Sequence, residues 1–288
     1  MLHYDGCMLC PRMCGVDRTA GQRGYCGAPA TAVVAKTMIH KWEEPALAGS
    51  GGSGAIFFGG CTLGCIYCQN RAISRAPIGT EVDSTQLRAM MEELIAQGAE
   101  NIDLVTPTHY LPTILPALMP KLPVPVVYNC GGYERVETLR ELEGLVDIYL
   151  PDLKYTDPKA ARQLSGAKDY FPYAAVAIKE MVRQTGAPKW NGEKLLSGTV
   201  IRHLILPGKV ENSLRALDWI GETFRPGEVL VSLMRQYTPT EATKHIPDLN
   251  RRITDMEYDS VLSWMYLNDL EGFVQEDSAA DAQFIPDF

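Results

Sequence analysis

Cys61, Cys65 and Cys68 stand at x3 and x2 spacing in the run Cys61-Thr62-Leu63-Gly64-Cys65-Ile66-Tyr67-Cys68, directly after an apolar stretch that reads as a strand. Thiolates are soft ligands, and three of them on one tight loop can hold three corners of a 4Fe-4S cube while the fourth iron keeps no protein ligand. An iron with a free position can chelate a small molecule. A structural zinc wants four ligands, whereas this loop supplies three; buried free thiols are the remaining alternative. A second set is Cys7, Cys10, Cys14 and Cys26, separated by two, three and eleven residues. Four thiolates suffice for closed tetrahedral zinc or for a fully ligated 4Fe-4S cluster, and the spacing does not choose between them. Few apolar residues surround this set, which favours a metal over packing alone as what holds the segment. Cys130 reads as a buried free thiol.

The remaining sequence must position these groups. The chain has 288 residues, 46% of them hydrophobic, enough for one large domain or one domain with a small extension. A formal net charge of -8 argues against a broad phosphate-binding surface, so no nucleic acid partner is expected. No basic-then-apolar leader and no run of membrane-spanning length is found, so the expectation is a cytoplasmic protein with no membrane partner. In that setting eight cysteines point to metal or redox chemistry rather than disulfides.

Residues 1–50 read as a Cys-rich N-terminal extension, 51–245 as alternating apolar runs and helical patterns, and 246–288 as a C-terminal helix and acidic tail. Strands are predicted over 55–58, 102–106, 124–128, 148–150, 200–206 and 229–233. A helix fits 85–97, with Ser84 as N-cap and Gly98 just past its end; others fit 134–143 and 214–224. Strands alternating with helices imply an α/β fold with a parallel sheet and right-handed crossovers, and six units are too few for a closed eightfold barrel. In such folds ligands collect at the C-terminal ends of the strands. Those ends carry Thr106-Pro107-Thr108-His109, Asn129-Cys130, Asp152-Leu153-Lys154, Arg202 and Arg235-Gln236. His203, alternating with apolar neighbours along its strand, reads as a core or rim histidine rather than a base.

The cysteine spacing, with Tyr67 just before the last cysteine, resembles the signature of the radical SAM enzymes. The stretches His40-Lys41-Trp42-Glu43-Glu44-Pro45, Cys61 through Gln69-Asn70, Val105-Thr106-Pro107-Thr108-His109, Tyr128-Asn129-Cys130-Gly131-Gly132 and Pro151-Asp152-Leu153-Lys154 resemble the activating enzymes of glycyl radical enzymes. More closely, the chain is similar to the branch homologous to the pyruvate formate-lyase activase. The resemblance implies a partial (β/α)6 TIM-like radical SAM barrel. It also implies a 4Fe-4S cluster on Cys61, Cys65 and Cys68, with S-adenosylmethionine held through its amino and carboxylate groups on the open iron. One electron from a flavodoxin or ferredoxin would then cleave the cosubstrate to methionine and a 5′-deoxyadenosyl radical. That radical would abstract hydrogen, from a glycine of a partner glycyl radical enzyme if the resemblance extends to substrate.

By the same resemblance Lys154 would neutralise the cosubstrate carboxylate, Arg202 would stand near it, and Tyr67 would pack beside the adenine. Asp152 and Asn129 match positions that hold a monovalent cation, although Asn129 stands where the activase has an aspartate. Thr106-Pro107-Thr108 replaces the activase's Gly-Gly-Glu, so carbonyls or hydroxyls of Thr106 and Thr108 would meet the amino group. Similar relatives also begin with cysteine-rich segments, without fixing zinc or a second cluster for Cys7, Cys10, Cys14 and Cys26.

Two other readings stand beside this one. One is a radical SAM catalyst acting on another peptide or a small molecule; the other is an iron–sulfur electron carrier or zinc-stapled binding module, which would need a fourth ligand for the 61–68 site. Gly49-Ser50-Gly51-Gly52-Ser53-Gly54 matches a dinucleotide glycine pattern but precedes a strand, the reverse of the order that phosphate binding needs. The acidic end from Gln275 to Phe288 reads as a tail or a clamp.

Overall fold

A computed structural model describes residues 2–41 and 44–275. Its strands are β1 (Ala32–His40), β2 (Ser53–Phe58), β3 (Thr80–Val82), β4 (Ile102–Val105), β5 (Val126–Cys130), β6 (Ile148–Pro151), β7 (Lys189–Asn191), β8 (Lys194–Leu204), β9 (Leu230–Met234) and β10 (Gly272–Val274). They form one sheet in the order β10-β9-β8-β6-β5-β4-β2-β1-β3, with β7 paired to β8. The run β2-β4-β5-β6-β8-β9 is parallel throughout and contains all six strands read from the sequence. Beyond it, β10 adds in parallel at one end, while β1 and β3 add antiparallel at the other.

The parallel strands read as unbroken apolar runs because both faces are covered. All residues of β2 and β5 are buried. Along β5, Val126 and Tyr128 pack outward with Leu87, Met91 and Leu94 of helix Ser84–Ala96. Val127 turns the other way, against Ile148, Leu150, Val200 and Leu230 from neighbouring strands and Ala46 and Leu47 of helix Pro45–Ala48. The inner face of the curved sheet is therefore packed at its N-terminal end, and polar residues stand at the opposite end. Each such buried aliphatic side chain contributes about 1.5–3 kcal/mol.

Some boundaries differ from the expected ones. The strand read over 124–128 is β5, Val126–Cys130. Pro125 has no N–H to donate, so the ladder begins after it. The helix read over 85–97 runs from Ser84 to Ala96 and is capped by Asp83, not Ser84. The Asp83 carboxylate accepts the Gln86 N–H at 2.8 Å while the Gln86 side chain accepts the Asp83 N–H at 3.0 Å, a reciprocal capping box. Ser84 donates instead to the Thr113 carbonyl at 2.8 Å. The helix read over 134–143 is the shorter Val136–Arg140, because Arg135 before it has extended backbone. The one read over 214–224 is Val210–Thr223. Helices Pro158–Ser165 and Tyr170–Thr185 follow β6 and were not anticipated, and neither was β1, which lies inside the Cys-rich segment. A helix does form near the C-terminus, Asp255–Leu267; the acidic tail beyond Gln275 lies outside the described residues. Among the described residues no helix is long and apolar enough to cross a membrane.

Candidate functional site

The loop after β2 carries the three spaced cysteines to the C-terminal edge of the parallel strands. Cys61 Sγ accepts the backbone N–H groups of Leu63 and Gly64, each at 3.4 Å. Cys65 Sγ accepts the Ser165 hydroxyl at 2.9 Å, and Cys68 accepts the backbone N–H of Asn70. Gly64 has φ +60, a left-handed turn that suits glycine and lets two successive amides aim at one sulfur. Burial and then the neighbouring Cys65 push the Cys61 thiol up to about 12, and burial raises Cys68 as well. Without a cation these thiols keep their protons; a bound metal centre inverts that balance and expels them. Donors aimed at every sulfur, with three sulfurs in the loop, fit a cluster held at three corners. Among the described residues no group of three or more His, Cys, Asp or Glu side chains surrounds a point suited to a single metal ion.

The loop is fastened from several sides. Ile66 N–H donates to the Leu164 carbonyl at 2.9 Å, Thr240 Oγ1 donates to the Ile66 carbonyl at 3.1 Å, and Gln69 Nε2 donates to the Gln236 carbonyl at 3.0 Å. Tyr67 is buried, with its ring between Tyr155 and Tyr237. Its hydroxyl accepts from Tyr155 at 2.7 Å; Tyr155 meets Ser165 at 2.7 Å, and Ser165 ends the hydroxyl chain on Cys65.

Beside the loop, the strand ends bring together Lys154, Asp152, Arg202 and Asn129, joined by Asp103. Lys154 Nζ and Arg202 Nε donate to the two different oxygens of Asp152, the latter at 2.9 Å. Arg202 Nη2 donates to Asn129 Oδ1 at 2.6 Å, and Asn129 Nδ2 donates to Asp103 Oδ2 at 3.3 Å. The chain crosses β4, β5, β6 and β8 in sheet order. Burial alone would raise the Asp152 carboxyl, but Arg202 and Lys154 overcome it and hold it below its ordinary value. Burial alone would lower Lys154, but Asp152 and the nearby Cys65 hold it above its ordinary value. Both cations therefore stay charged, one of them beside the cysteine loop. At the position that the resemblance gave to a monovalent cation, the two Asp152 oxygens accept from Lys154 and Arg202. Asp103 lay inside an apolar run and gave no signal beyond being an acid within a strand.

Thr106 adopts φ +60, costly for a β-branched residue, while its N–H donates to the Asn129 carbonyl at 2.8 Å. The sheet thus turns this residue sharply at the end of β4. Thr108 is not brought to the same group. Its hydroxyl donates to Glu134 Oε1 at 2.8 Å on the outer side, where Tyr128 and Cys130 also meet that carboxyl. Burial pushes Glu134 up to about 8, and Cys130 is the buried free thiol expected. His203 is a satisfied core histidine: Nδ1 bonds the Leu153 carbonyl at 2.6 Å, Nε2 meets Ser213 at 2.9 Å, and burial lowers it to about 4. His109 bonds the Gly59 carbonyl at 2.9 Å, just before the cysteine loop. A cavity of about 920 Å³ opens beside the network, with Arg202, Met234 and Gln236 in its wall and Glu44, Glu100 and Lys194 farther round.

The N-terminal cysteines also receive donors. The amides of Arg12, Tyr25 and Ala28 reach Cys10, Cys14 and Cys26 respectively, and Arg18 Nη1 lies 3.9 Å from Cys7 Sγ. Arg18 is itself buried and donates to the His109 carbonyl at 2.6 Å and to the Pro29 carbonyl. Cys7 and Cys10 are buried and Cys14 is exposed.

A sequence family described as a 4Fe-4S single cluster domain matches residues 47–107, which hold the loop and β4. The chain is 28% identical over 270 residues to an uncharacterized protein of Methanocaldococcus jannaschii, covering 90% of this chain and 74% of that protein. A solved radical SAM methyltransferase from Sphaerobacter thermophilus is similar with a TM-score of 0.53 and 13% identity, over 77% of this chain and 66% of that one. Streptococcus suis SuiB, bound to the precursor peptide SuiA, is similar with a TM-score of 0.51 and 12% identity, over 76% of this chain and 47% of that one. The chain spans less than two thirds of the length of either solved protein. The likeness shows the fold: an open, TIM-like α/β barrel of the radical SAM type.

Proposed function

We propose that this chain is a radical SAM enzyme that holds a 4Fe-4S cluster on Cys61, Cys65 and Cys68 and cleaves S-adenosylmethionine reductively to abstract hydrogen from a substrate. The observation that carries the reading is the three-thiol loop set beside a buried, charged network at the C-terminal ends of parallel strands. An electron carrier would need a fourth ligand at that loop and has no use for the network. When bound, the cluster and cosubstrate supply one-electron cleavage to methionine and a 5′-deoxyadenosyl radical.

The protein's own residues bind, orient and exclude water. Lys154, held charged by Asp152, would offer its ammonium to the cosubstrate carboxylate, and Arg202, bonded to the same Asp152, would add a second positive group. Asp152 and Asn129 fix these two side chains in one rotamer each, so little ordering remains to be done on binding. Backbone carbonyls at the sharp turn of Thr106 would meet the amino group in place of an acidic side chain, while Thr108 supports Glu134 on the other side of the sheet. The ring of Tyr67 forms the wall behind the loop. Val127, Leu150 and Val200 form a buried apolar cluster within the barrel, which would help keep water from the reacting atoms.

The finer reading is activation of a glycyl radical enzyme, with a flavodoxin or ferredoxin as electron donor. The cavity of about 920 Å³ supports a second reading, a peptide segment or small molecule as substrate, since it is of the size that small-ligand sites take. The N-terminal cysteines are proposed to carry zinc or a second cluster, since four thiolates from one segment are enough in number for either. With dithionite and adenosylmethionine under anaerobic conditions the protein should release 5′-deoxyadenosine. Added glycyl radical enzymes should then show a glycine-centred radical. Deoxyadenosine without that radical, across several such partners, selects the second reading; no deoxyadenosine from a fully loaded cluster contradicts both.

A further inference from the structure

The two cysteine sets are far apart in sequence, yet one side chain joins them. Arg12 stands between Cys10 and Cys14, and its guanidinium leaves that segment entirely. Nε donates to the Thr62 carbonyl at 2.9 Å, Nη1 to the Gly166 carbonyl at 2.6 Å, and Nη2 to the Ser165 carbonyl at 2.9 Å and the Leu63 carbonyl at 3.5 Å. Two of these acceptors lie in the loop between Cys61 and Cys65. The other two end helix Pro158–Ser165, whose last residue, Ser165, gives its hydroxyl to Cys65 Sγ. A planar cation that bonds four carbonyls in fixed directions locks both segments to each other, which a flexible ammonium cannot do.

Two further contacts run the same way, one from Tyr25 and one from Cys26. Tyr25, between Cys14 and Cys26, packs its ring 3.7 Å from the Arg12 guanidinium carbon and donates its hydroxyl to the Leu63 carbonyl at 2.9 Å. The Tyr25 N–H meanwhile reaches Cys14 Sγ at 3.4 Å. The backbone at Cys26 presses on Gly60, where an added Cβ would lie 2.6 Å from the Cys26 carbonyl oxygen. Each of these links from the N-terminal segment thus starts within two residues of one of its cysteines. Hydrogen bonds to cluster sulfurs help set reduction potential, so a segment that fixes the donor to Cys65 has a direct handle on it.

We propose that Arg12 is a positioning residue through which the N-terminal cysteine segment sets the geometry and reduction potential of the 61–68 site. This rests on the cluster reading above for the potential, but not for the mechanical link. Loss of the Arg12 fork lets the Ser165 donor drift from Cys65, leaving less stabilisation for the added negative charge of the reduced centre, so the potential falls. Unlocking Cys10 and Cys14 acts through the same side chain.

The test uses the full chain and two measurements. In metal-free protein, alkylation of Cys61 and Cys65 followed by mass spectrometry should rise about tenfold in Arg12→Ala and less in Tyr25→Phe, reflecting loss of charge-assisted and neutral bonds respectively. In anaerobically reconstituted protein, Arg12→Ala, Arg12→Lys, Ser165→Ala and the double variant Cys10→Ser with Cys14→Ser should all give more negative midpoint potentials. Adding Arg12→Ala to the double cysteine variant should produce no further shift. Unchanged alkylation in Arg12→Ala overturns the mechanical link even if no cluster forms. Unchanged potentials in a protein that does load a cluster overturn the redox coupling, as does a cysteine effect that adds fully to that of Arg12→Ala. If Arg12→Ala does not fold, Arg12→Lys and Tyr25→Phe decide by the same two measurements. Failure of the wild-type loop to hold iron contradicts the proposed function, while the alkylation result still decides the role of Arg12.

Discussion

The two cysteine sets have similar chemistry and opposite surroundings. Around 61–68, the protein beyond the loop supplies much of the support: Ser165 reaches Cys65, while Leu164, Thr240 and Gln236 fasten the backbone. Around Cys7, Cys10, Cys14 and Cys26, the donors come from the same short segment, through Arg12, Arg18, Tyr25 and Ala28. The first set lies beside the buried ammonium of Lys154; the second includes an exposed residue, Cys14. A site built by distant parts of a chain has its geometry fixed by the whole fold, as reactive centres need. A site built by its own segment serves to hold that segment, and here the segment holds the loop.

Cysteine replacement should break this comparison most sharply. Cys65→Ala is expected to abolish the 61–68 cluster, measured as loss of about four irons and of the reduced-state signal. Cys14→Ala should leave that signal present while removing whatever metal the N-terminal set carries, read by metal analysis. If Cys14→Ala also abolished the 61–68 signal, the division between a reactive and a structural set would fall.

Lys154→Ala should come next in size. It removes the ammonium nearest the loop but leaves Asp152 paired with Arg202, so the fold survives. Affinity for adenosylmethionine should weaken about tenfold or more, the size of one charge-assisted contact, in an equilibrium binding titration. An unchanged affinity would detach the network from the cosubstrate.

A last effect, on stability rather than on either cysteine set, concerns Glu134, on the outer side of the sheet. Burial raises its carboxyl to about 8, so the folded protein holds a proton that the unfolded chain releases near its ordinary value. This group's contribution to stability is full below the unfolded value and is lost as pH rises through about 8. Denaturant titrations should show that loss, with a slope of up to about 1.4 kcal/mol per pH unit. Glu134→Gln should flatten it.

Much of this arrangement is legible in the sequence, for reasons that differ by element. The six parallel strands stand out because residues buried on both faces leave apolar runs such as Ala55-Ile56-Phe57-Phe58. Strand β1 escapes because its burial pattern fades from buried to half-exposed along its length, and it lies among turn-rich residues. The network is half legible: Lys154, Asp152 and Arg202 fall at strand ends, where polarity draws notice. Asp103 sits one residue into an apolar run, and its hydrogen bond with Asn129, itself legible at a strand end, appears only once β4 and β5 are paired. Arg12 is invisible as a functional residue, since its acceptors are backbone carbonyls some fifty and more than a hundred and fifty positions away. No sequence pattern records a carbonyl.

The central claim is that the 61–68 loop holds a cluster with one iron open to the cosubstrate. Electron paramagnetic resonance of the anaerobically reduced protein, with and without adenosylmethionine, tests it most directly. The expected result is a reduced 4Fe-4S signal whose g values shift when adenosylmethionine is added, in wild type and in the protein lacking Cys7, Cys10, Cys14 and Cys26. A fully loaded cluster whose spectrum stays the same at saturating adenosylmethionine would contradict it.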